Sequence, residues 1–275
     1  MQQEQTKSIF VAIVGRPNVG KSSLLNRMVG EKVAIVTAKP QTTRTRITGI
    51  LTRGAVQYVF LDTPGIHRPR TRLGERMAKA TADSVAEVDA VVMLFEPYGE
   101  LTEAEQALVE DIRVKKVPAL AAVNKTDTLK KETDLAVRMQ FLEELGVFRG
   151  VLPLCVSEDR GCTELLDALL PFAVESPHYF PDDAYTDMPE KALVAEVLRE
   201  KMLLNLRDEI PHGTAVTVER FKERGDKDII DIDVNIYCEK KSHKGMIIGK
   251  GGQMLKKIAS EARVECEEFL GARVN

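Results

Sequence analysis

A chain of 275 residues and 30.6 kDa has room for two domains at roughly 100–200 residues each and can bury a core without disulfide or metal staples. Its 39 basic and 42 acidic residues leave a net charge of −3, which excludes nucleic-acid binding through bulk charge and leaves only a local patch for that purpose. Cys155, Cys162, Cys238 and Cys266 form no CxxC pair or His/Cys cluster, and no apolar run approaches the ~18–20 residues of a membrane helix; zinc scaffold, secreted disulfide framework and membrane span are excluded, and reduced thiols in a cytoplasmic protein are expected.

The first apolar run, Ile9–Val14, leads into Gly15-Arg16-Pro17-Asn18-Val19-Gly20-Lys21-Ser22, which fits GxxxxGK[ST], and a helical pattern opens behind it through Ser23. In that strand–loop–helix context the glycines let backbone N–H groups curl around an anionic oxygen, and the helix N-terminus adds partial positive charge. Lys21 would reach the terminal phosphates and the Ser22 hydroxyl would ligate Mg²⁺. ATP and GTP both remain open at this point. The loop Val36–Arg46, rich in Thr and Arg and without a period, can order around Mg²⁺ and a γ-phosphate and relax after hydrolysis. The runs Ile47–Leu51 and Val56–Leu61, joined by Thr52-Arg53-Gly54-Ala55, predict an antiparallel edge pair. The second run ends in Asp62-Thr63-Pro64-Gly65, with Asp62 placed to hold Mg²⁺ through water and the Gly65 N–H able to sense a γ-phosphate. Ile66 follows where many GTPases carry a water-orienting glutamine. An apolar side chain cannot orient water, so slow intrinsic turnover is expected, accelerated by a partner or a monovalent ion. His67 reads as a loop residue rather than a general base.

The runs Ala90–Phe95, Pro118–Val123 and Val151–Val156 read as further strands, several apolar at nearly every position, as for strands covered on both faces. Helical patterns over Thr102–Val114 and Asp134–Leu145 lie between them. The alternation predicts an α/β fold with a doubly wound, mostly parallel sheet. Directly after 118–123 comes Asn124-Lys125-Thr126-Asp127, which decides the base. Guanine presents two adjacent donors and a carboxylate such as Asp127 accepts both, whereas adenine would leave that carboxylate unpaired, a difference able to discriminate by about 10⁴ or more.

Helical periodicity ends near Phe172, and the aperiodic, proline-bearing segment 175–190 marks a linker between a first domain, 1–174, and a second, 191–275. The second domain predicts a helix (Lys191–Leu206), two strands (Ala215–Lys222 and Ile229–Cys238) and a Gly-rich turn between helices. Lys240–Ser260 carries six lysines and no acid. At its centre Gly249-Lys250-Gly251-Gly252 forms a helix–GxxG–helix turn that lets a phosphodiester backbone approach closely. Lys244, Lys250, Lys256 and Lys257 can contact phosphates, and Ile247 and Ile248 would give unstacked bases an apolar floor.

The nucleotide motifs in this order resemble the guanine-nucleotide domain of the translation-factor-related GTPases over about residues 9–173. That resemblance implies that Thr43 of Gln41-Thr42-Thr43-Arg44 completes the Mg²⁺ shell, with Thr42 and Thr45 left open as alternatives, and that Lys21, Thr43 and Gly65 are the catalytic contacts. It places Ser157 in the loop over the guanine, where the family usually has Ser-Ala and this chain has Ser157-Glu158. Asn18 resembles the asparagine with which related GTPases hold K⁺. The helix–strand–strand–GxxG order resembles a small α+β type II KH domain, and the whole chain resembles the Era family of bacterial GTPases. What this implies is a GTP-hydrolysing switch that binds 16S ribosomal RNA and acts in small-subunit (30S) assembly, with GTP favouring RNA and hydrolysis permitting release. A monomer is expected, cytoplasmic and in part peripherally membrane-associated. A type II KH domain closes with a further strand after its last helix; the chain stops at Asn275, so that strand is expected to be missing and RNA binding weakened. The alternative reading is a GTP-gated module that docks on protein or membrane, with no RNA.

Overall fold

Two bodies divide the chain. Met1–Ala34 and Thr43–Asp187 form the first, Ile35–Thr42 and Met188–Asn275 the second. The structure, a computed structural model, describes residues 5–37, 39, 42–65, 72–225 and 228–275, with backbone alone for 72–76 and 78. Ile66, His67 and Gln41 lie outside the described residues.

The first body opens with β1 (Lys7–Gly15) and α1 (Lys21–Val29), then the hairpin β2 (Ile47–Arg53) and β3 (Val56–Asp62). It continues through α2 (Arg72–Ala86), β4 (Ala90–Phe95), α3 (Glu103–Lys115), β5 (Ala119–Val123), α4 (Glu132–Glu144), β6 (Gly150–Pro153), α5 (Cys162–Leu169) and the short β7 (Val174–Glu175). The sheet order is β2-β3-β1-β4-β5-β6, with β7 antiparallel to β1. β2 and β3 pair antiparallel, while β3, β1, β4, β5 and β6 run parallel. Every residue of β4 and β5 is buried, because helices cover both faces and leave no polar side for alternation. One such face packs Val91, Met93, Phe95, Ala121 and Val123 under Leu108, Ile112 and Leu142.

In such a sheet the functional loops gather at the carboxyl ends of the strands. The three nucleotide motifs follow β1, β3 and β5 and so share that end. The run expected as one strand through Val156 stops at Pro153 instead. Leu154, Cys155 and Val156 stay buried but turn inward as a loop, with Leu154 N–H donating to Val123 O at 2.7 Å. Their apolar character reflects burial rather than a place in the main sheet; Cys155 pairs only locally, with Arg160.

The linker segment is bound to this body over much of its length. Gln57 Oε1 accepts from the N–H groups of Tyr179 and Phe180, at 2.8 and 3.0 Å. Ile50 N–H donates to Tyr185 O at 2.8 Å, and the Thr186 hydroxyl to Thr48 O at 2.6 Å. The bonds at Thr48 and Ile50 cover the free edge of β2, an edge that is otherwise a template for unwanted pairing.

The second body consists of α6 (Glu190–Asn205), β8 (Thr214–Glu223), β9 (Ile229–Cys238), α7 (Lys241–Ile248), α8 (Gln253–Leu270) and β10 (Arg273–Val274). Its sheet order is β10-β9-β8, with β10 parallel to β9. The closing strand expected to be absent is therefore present as a two-residue piece. Arg273 N–H donates to Asp228 O at 3.0 Å, and Asn275 N–H to Ile230 O at 2.9 Å. The core joins Val194, Leu198 and Met202 of α6 to Ile258, Ala262 and Cys266 of α8.

Candidate nucleotide site and RNA-binding turn

Gly15 ends β1 and Lys21 begins α1, so Arg16–Gly20 must reverse the chain in five residues. Gly20 at φ +108 and Asn18 at φ +62 absorb that turn in the left-handed region. The first turn of α1 carries no acidic side chain, which leaves its N–H groups and helix dipole available to an anion. Lys21 is buried and donates to Gly15 O at 3.1 Å and Arg16 O at 2.8 Å. Burial lowers its ammonium to about 8, opposed by the charge of Asp62.

Asp62 is fully buried at the end of β3. Its Oδ2 accepts from Ser22 Oγ at 2.6 Å and from Thr43 Oγ1 at 3.3 Å, and the two hydroxyls lie 3.0 Å apart. Its Oδ1 is buried with no hydrogen-bond partner. Burial raises the Asp62 carboxyl, with Lys21 and the Ser22 and Thr43 hydroxyls pulling the other way. A buried carboxylate with an orphan oxygen, flanked by two hydroxyls and one ammonium, is a hard-oxygen donor set that fits Mg²⁺. Of the three threonines left open by sequence, Thr43 is the one at this cluster. Thr42 instead donates to Lys39 O at 2.7 Å, outside it. Thr63 is spoken for, its hydroxyl donating to Ile13 O at 2.8 Å. Gly65 lies against the phosphate loop, where a Cβ would come within 2.7 Å of Pro17 Cα, so a side chain there would displace one loop or the other.

The Asn124–Asp127 turn is wired to both neighbouring loops. Asn124 Nδ2 donates to Val19 O at 2.8 Å, while its Oδ1 accepts from Val156 N–H at 3.2 Å. Lys125, at φ +63, pairs with Glu96 at 2.9 Å, and the Thr126 hydroxyl donates to Leu154 O at 2.9 Å. Asp127 is exposed, which leaves its carboxylate open to a ligand. The Cys155 thiol donates to its Oδ1 at 3.1 Å.

Cys155 and Val156, which sequence reasoning passed over, thus hold the NKxD turn, and Ser157 and Glu158 follow them directly in the same loop. Ser157 Oγ lies 3.3 Å from Cys155 Sγ, and the Glu158 carboxylate forms an exposed ion pair with Arg160. The spacing from Pro153 carried the signal: the loop begins one residue after β6, and its apolar letters disguised it as strand.

In the second body α7 ends at Ile248 and α8 starts at Gln253. Gly249, Gly251 and Gly252 take φ +74, +59 and +78, a left-handed run that only glycine adopts without strain. Lys244, Lys250, Lys256 and Lys257 are exposed around it. Ile247 does not join them: it is 4% exposed and packs with α6 and α8, so the apolar floor reduces to Ile248, at 37%.

A phosphate loop, a buried carboxylate–hydroxyl cluster that fits Mg²⁺ and an NKxD turn on one sheet end define a P-loop GTPase, and the second body, with its glycine turn between helices on a three-stranded sheet, defines a KH domain. Comparison with known proteins agrees. The family described as 50S ribosome-binding GTPase matches residues 10–125, and the KH domain family matches 209–275. The chain is 44% identical over 269 residues to the GTPase Era of Clostridioides difficile, covering 98% of this chain and 91% of the relative. It is 46% identical over 268 residues to that of Alkaliphilus metalliredigens, covering 98% and 90%. A crystal structure of Era in complex with MgGDPNP and nucleotides 1506–1542 of 16S ribosomal RNA superposes with a TM-score of 0.93 at 32% identity, covering 98% of this chain and 91% of that one. The chain belongs to the Era family of GTPases. Among the described residues no helix is long and apolar enough to cross a membrane.

Proposed function

We propose that this protein binds and hydrolyses GTP in its first body, and that the nucleotide state gates binding of 16S ribosomal RNA by the second in small-subunit assembly. The observation that carries the proposal is the meeting of the Ser22 and Thr43 hydroxyls at Oδ2 of the buried Asp62, whose Oδ1 stays without a partner, in a chain that also bears the exposed lysine-rimmed glycine turn. Gly15–Ser23 cradle the phosphates. Asp62–Gly65 and Thr43 answer to the γ-phosphate, and Asn124–Asp127, held by Cys155 and Val156, read the guanine with the Ser157-Glu158 loop over it. Ser22, Thr43 and Asp62 are the residues that would hold Mg²⁺, which supplies charge neutralisation at the β- and γ-phosphates. Lys21, protonated at neutral pH, adds a further positive charge there, and the Gly65 N–H donates to the γ-phosphate. Ile66 cannot orient the attacking water, so intrinsic turnover is slow. Asn18, which stands exposed at the tip of the phosphate loop, is the residue that would hold a K⁺ ion, and such an ion would supply the missing positive charge.

On the RNA side, Lys244, Lys250, Lys256 and Lys257 neutralise phosphates while the backbone of Gly249–Gly252 lets the strand approach. The glycines break the basic segment into two helices, which disfavours a continuous membrane-surface helix. The direct test titrates a short single-stranded RNA from the 16S 3′ end into protein loaded with GDP or a non-hydrolysable GTP analogue. Tighter binding with the analogue is expected. Equal binding in both states would overturn the gating. For the monovalent ion, turnover in K⁺ should exceed turnover in Na⁺; equal rates would remove K⁺ from the account.

A further inference from the structure

The loop between α1 and β2 is divided between the two bodies. Ile35–Thr42 groups with the second, whereas Thr43 belongs to the first. Three hydrogen bonds hold the segment to α6. Val36 N–H donates to Glu200 Oε1 at 2.9 Å. Arg199 Nη2 donates to Thr42 O, and Lys39 Nζ to the carbonyl of Leu206 at the C-cap of the helix.

The two helix side chains are unusual for their position. Arg199 is 4% exposed and Glu200 2%, and charged residues are almost never so buried unless paired. Glu196 braces the Arg199 guanidinium, donated to at 2.8 Å from Nε. Lys201 braces Glu200 at 3.0 Å and is itself tied to Glu265 of α8. Two buried charges confer no stability that an apolar pair of equal volume would not match or exceed. What an apolar pair could not do is grip backbone groups, and both side chains grip the backbone of this one loop.

The place gripped matters. Thr42 is joined by a single peptide bond to Thr43, whose hydroxyl lies 3.0 Å from Ser22 Oγ and 3.3 Å from Asp62 Oδ2. Fixing the Thr42 carbonyl fixes one side of the peptide plane that leads into Thr43, because that plane is rigid. We propose that Arg199 and Glu200 are positioning residues for GTP hydrolysis, holding Ile35–Thr42 so that Thr43 is delivered to the magnesium cluster. The first helix of the KH domain is then part of the GTPase apparatus. The inference rests on the assignment of Thr43 given above.

The test compares full-length wild type with Arg199→Met, Glu200→Leu and Lys39→Ala, reading kcat, KM for GTP, the Mg²⁺ concentration giving half-maximal turnover, and GDP affinity. Loss of a positioning contact should lower kcat about tenfold and raise the Mg²⁺ requirement, with GDP affinity held. Arg199→Lys, which keeps one donor for the Thr42 carbonyl, should recover part of the rate. A merely structural role would shift the melting temperature and leave the Mg²⁺ requirement alone. Lys39→Ala alters the loop side only, so it reports even if a helix variant fails to fold. The inference is overturned if all three variants keep kcat and Mg²⁺ requirement within about twofold of wild type while Thr43→Ala does not. If Thr43→Ala is also without effect, the assignment of Thr43 falls, and the inference with it.

Discussion

Glu105 couples two parts of the first body through one carboxylate. It is completely buried. As the third residue of α3 it accepts from the Thr102 N–H and hydroxyl, both at 2.8 Å, closing a capping box. It also lies 2.7 Å from Nε of Arg16 in the phosphate loop, whose carbonyl receives the Lys21 ammonium at 2.8 Å. Glu105→Gln can keep the cap while removing the charge that faces Arg16. It should cost about 1–3 kcal/mol in urea unfolding and weaken GTP binding. Glu105→Ala should cost about 1 kcal/mol more through the lost cap. Equal stability of the two variants would show that the cap contributes nothing.

The buried thiols give a pH dependence of definite sign. Burial pushes Cys162 up to about 11 and Cys266 up to about 12, from an ordinary value of 9.0. Above pH about 9 the unfolded chain releases these protons while the folded chain keeps them, so the unfolded state binds fewer protons and stability falls as pH rises toward 12. Cys266→Ala should flatten part of that alkaline decline in a melting-temperature series, at some cost in neutral stability from the small cavity in the α6–α8 core. An unchanged alkaline slope would contradict the burial of that thiol.

At the scale of elements, the sheet and its loops were largely legible. The strands were found because parallel strands under helices on both faces are apolar throughout, and β4 matched its expected bounds, Ala90–Phe95. The phosphate loop, Asp62 and the NKxD turn were legible because each demands particular residue types at fixed spacing. Three features were not. Cys155 and Val156 hid because a buried loop and a buried strand share a composition. Ile247 read as surface because its neighbour Ile248 is, although one residue on a helix turns the side chain by about 100° into the core. The closing strand was missed because two residues are too few to show a period. The glycine turn allows a sharp test at this scale. Gly251→Asp places a side chain at φ +59 and a negative charge beside an approaching phosphate. RNA affinity should fall by tenfold or more in a binding titration, with GTP turnover unchanged.

For the whole molecule, charge is segregated rather than abundant. A chain of net charge −3 gathers six lysines and no acid between residues 240 and 260. RNA affinity should therefore depend on salt far more steeply than nucleotide affinity. For four engaged lysines on a single strand, the slope of log K against log salt should be about −3, and Lys250→Ala should reduce it by about 0.7. A flat response would mean that the patch does not engage phosphates.

The divided loop between α1 and β2 also bears on how the chain is made. Thr42 and Val36 are synthesised 157 and 164 residues before Arg199 and Glu200, respectively. At about 5–20 residues per second, that interval lasts roughly 8–30 s. During it the nascent chain carries every nucleotide motif but not the helix that grips the loop. On the proposal that α6 positions Thr43, a half-made chain binds nucleotide with that threonine unlatched, and its GTP hydrolysis is expected to stay slow until α6 has been translated.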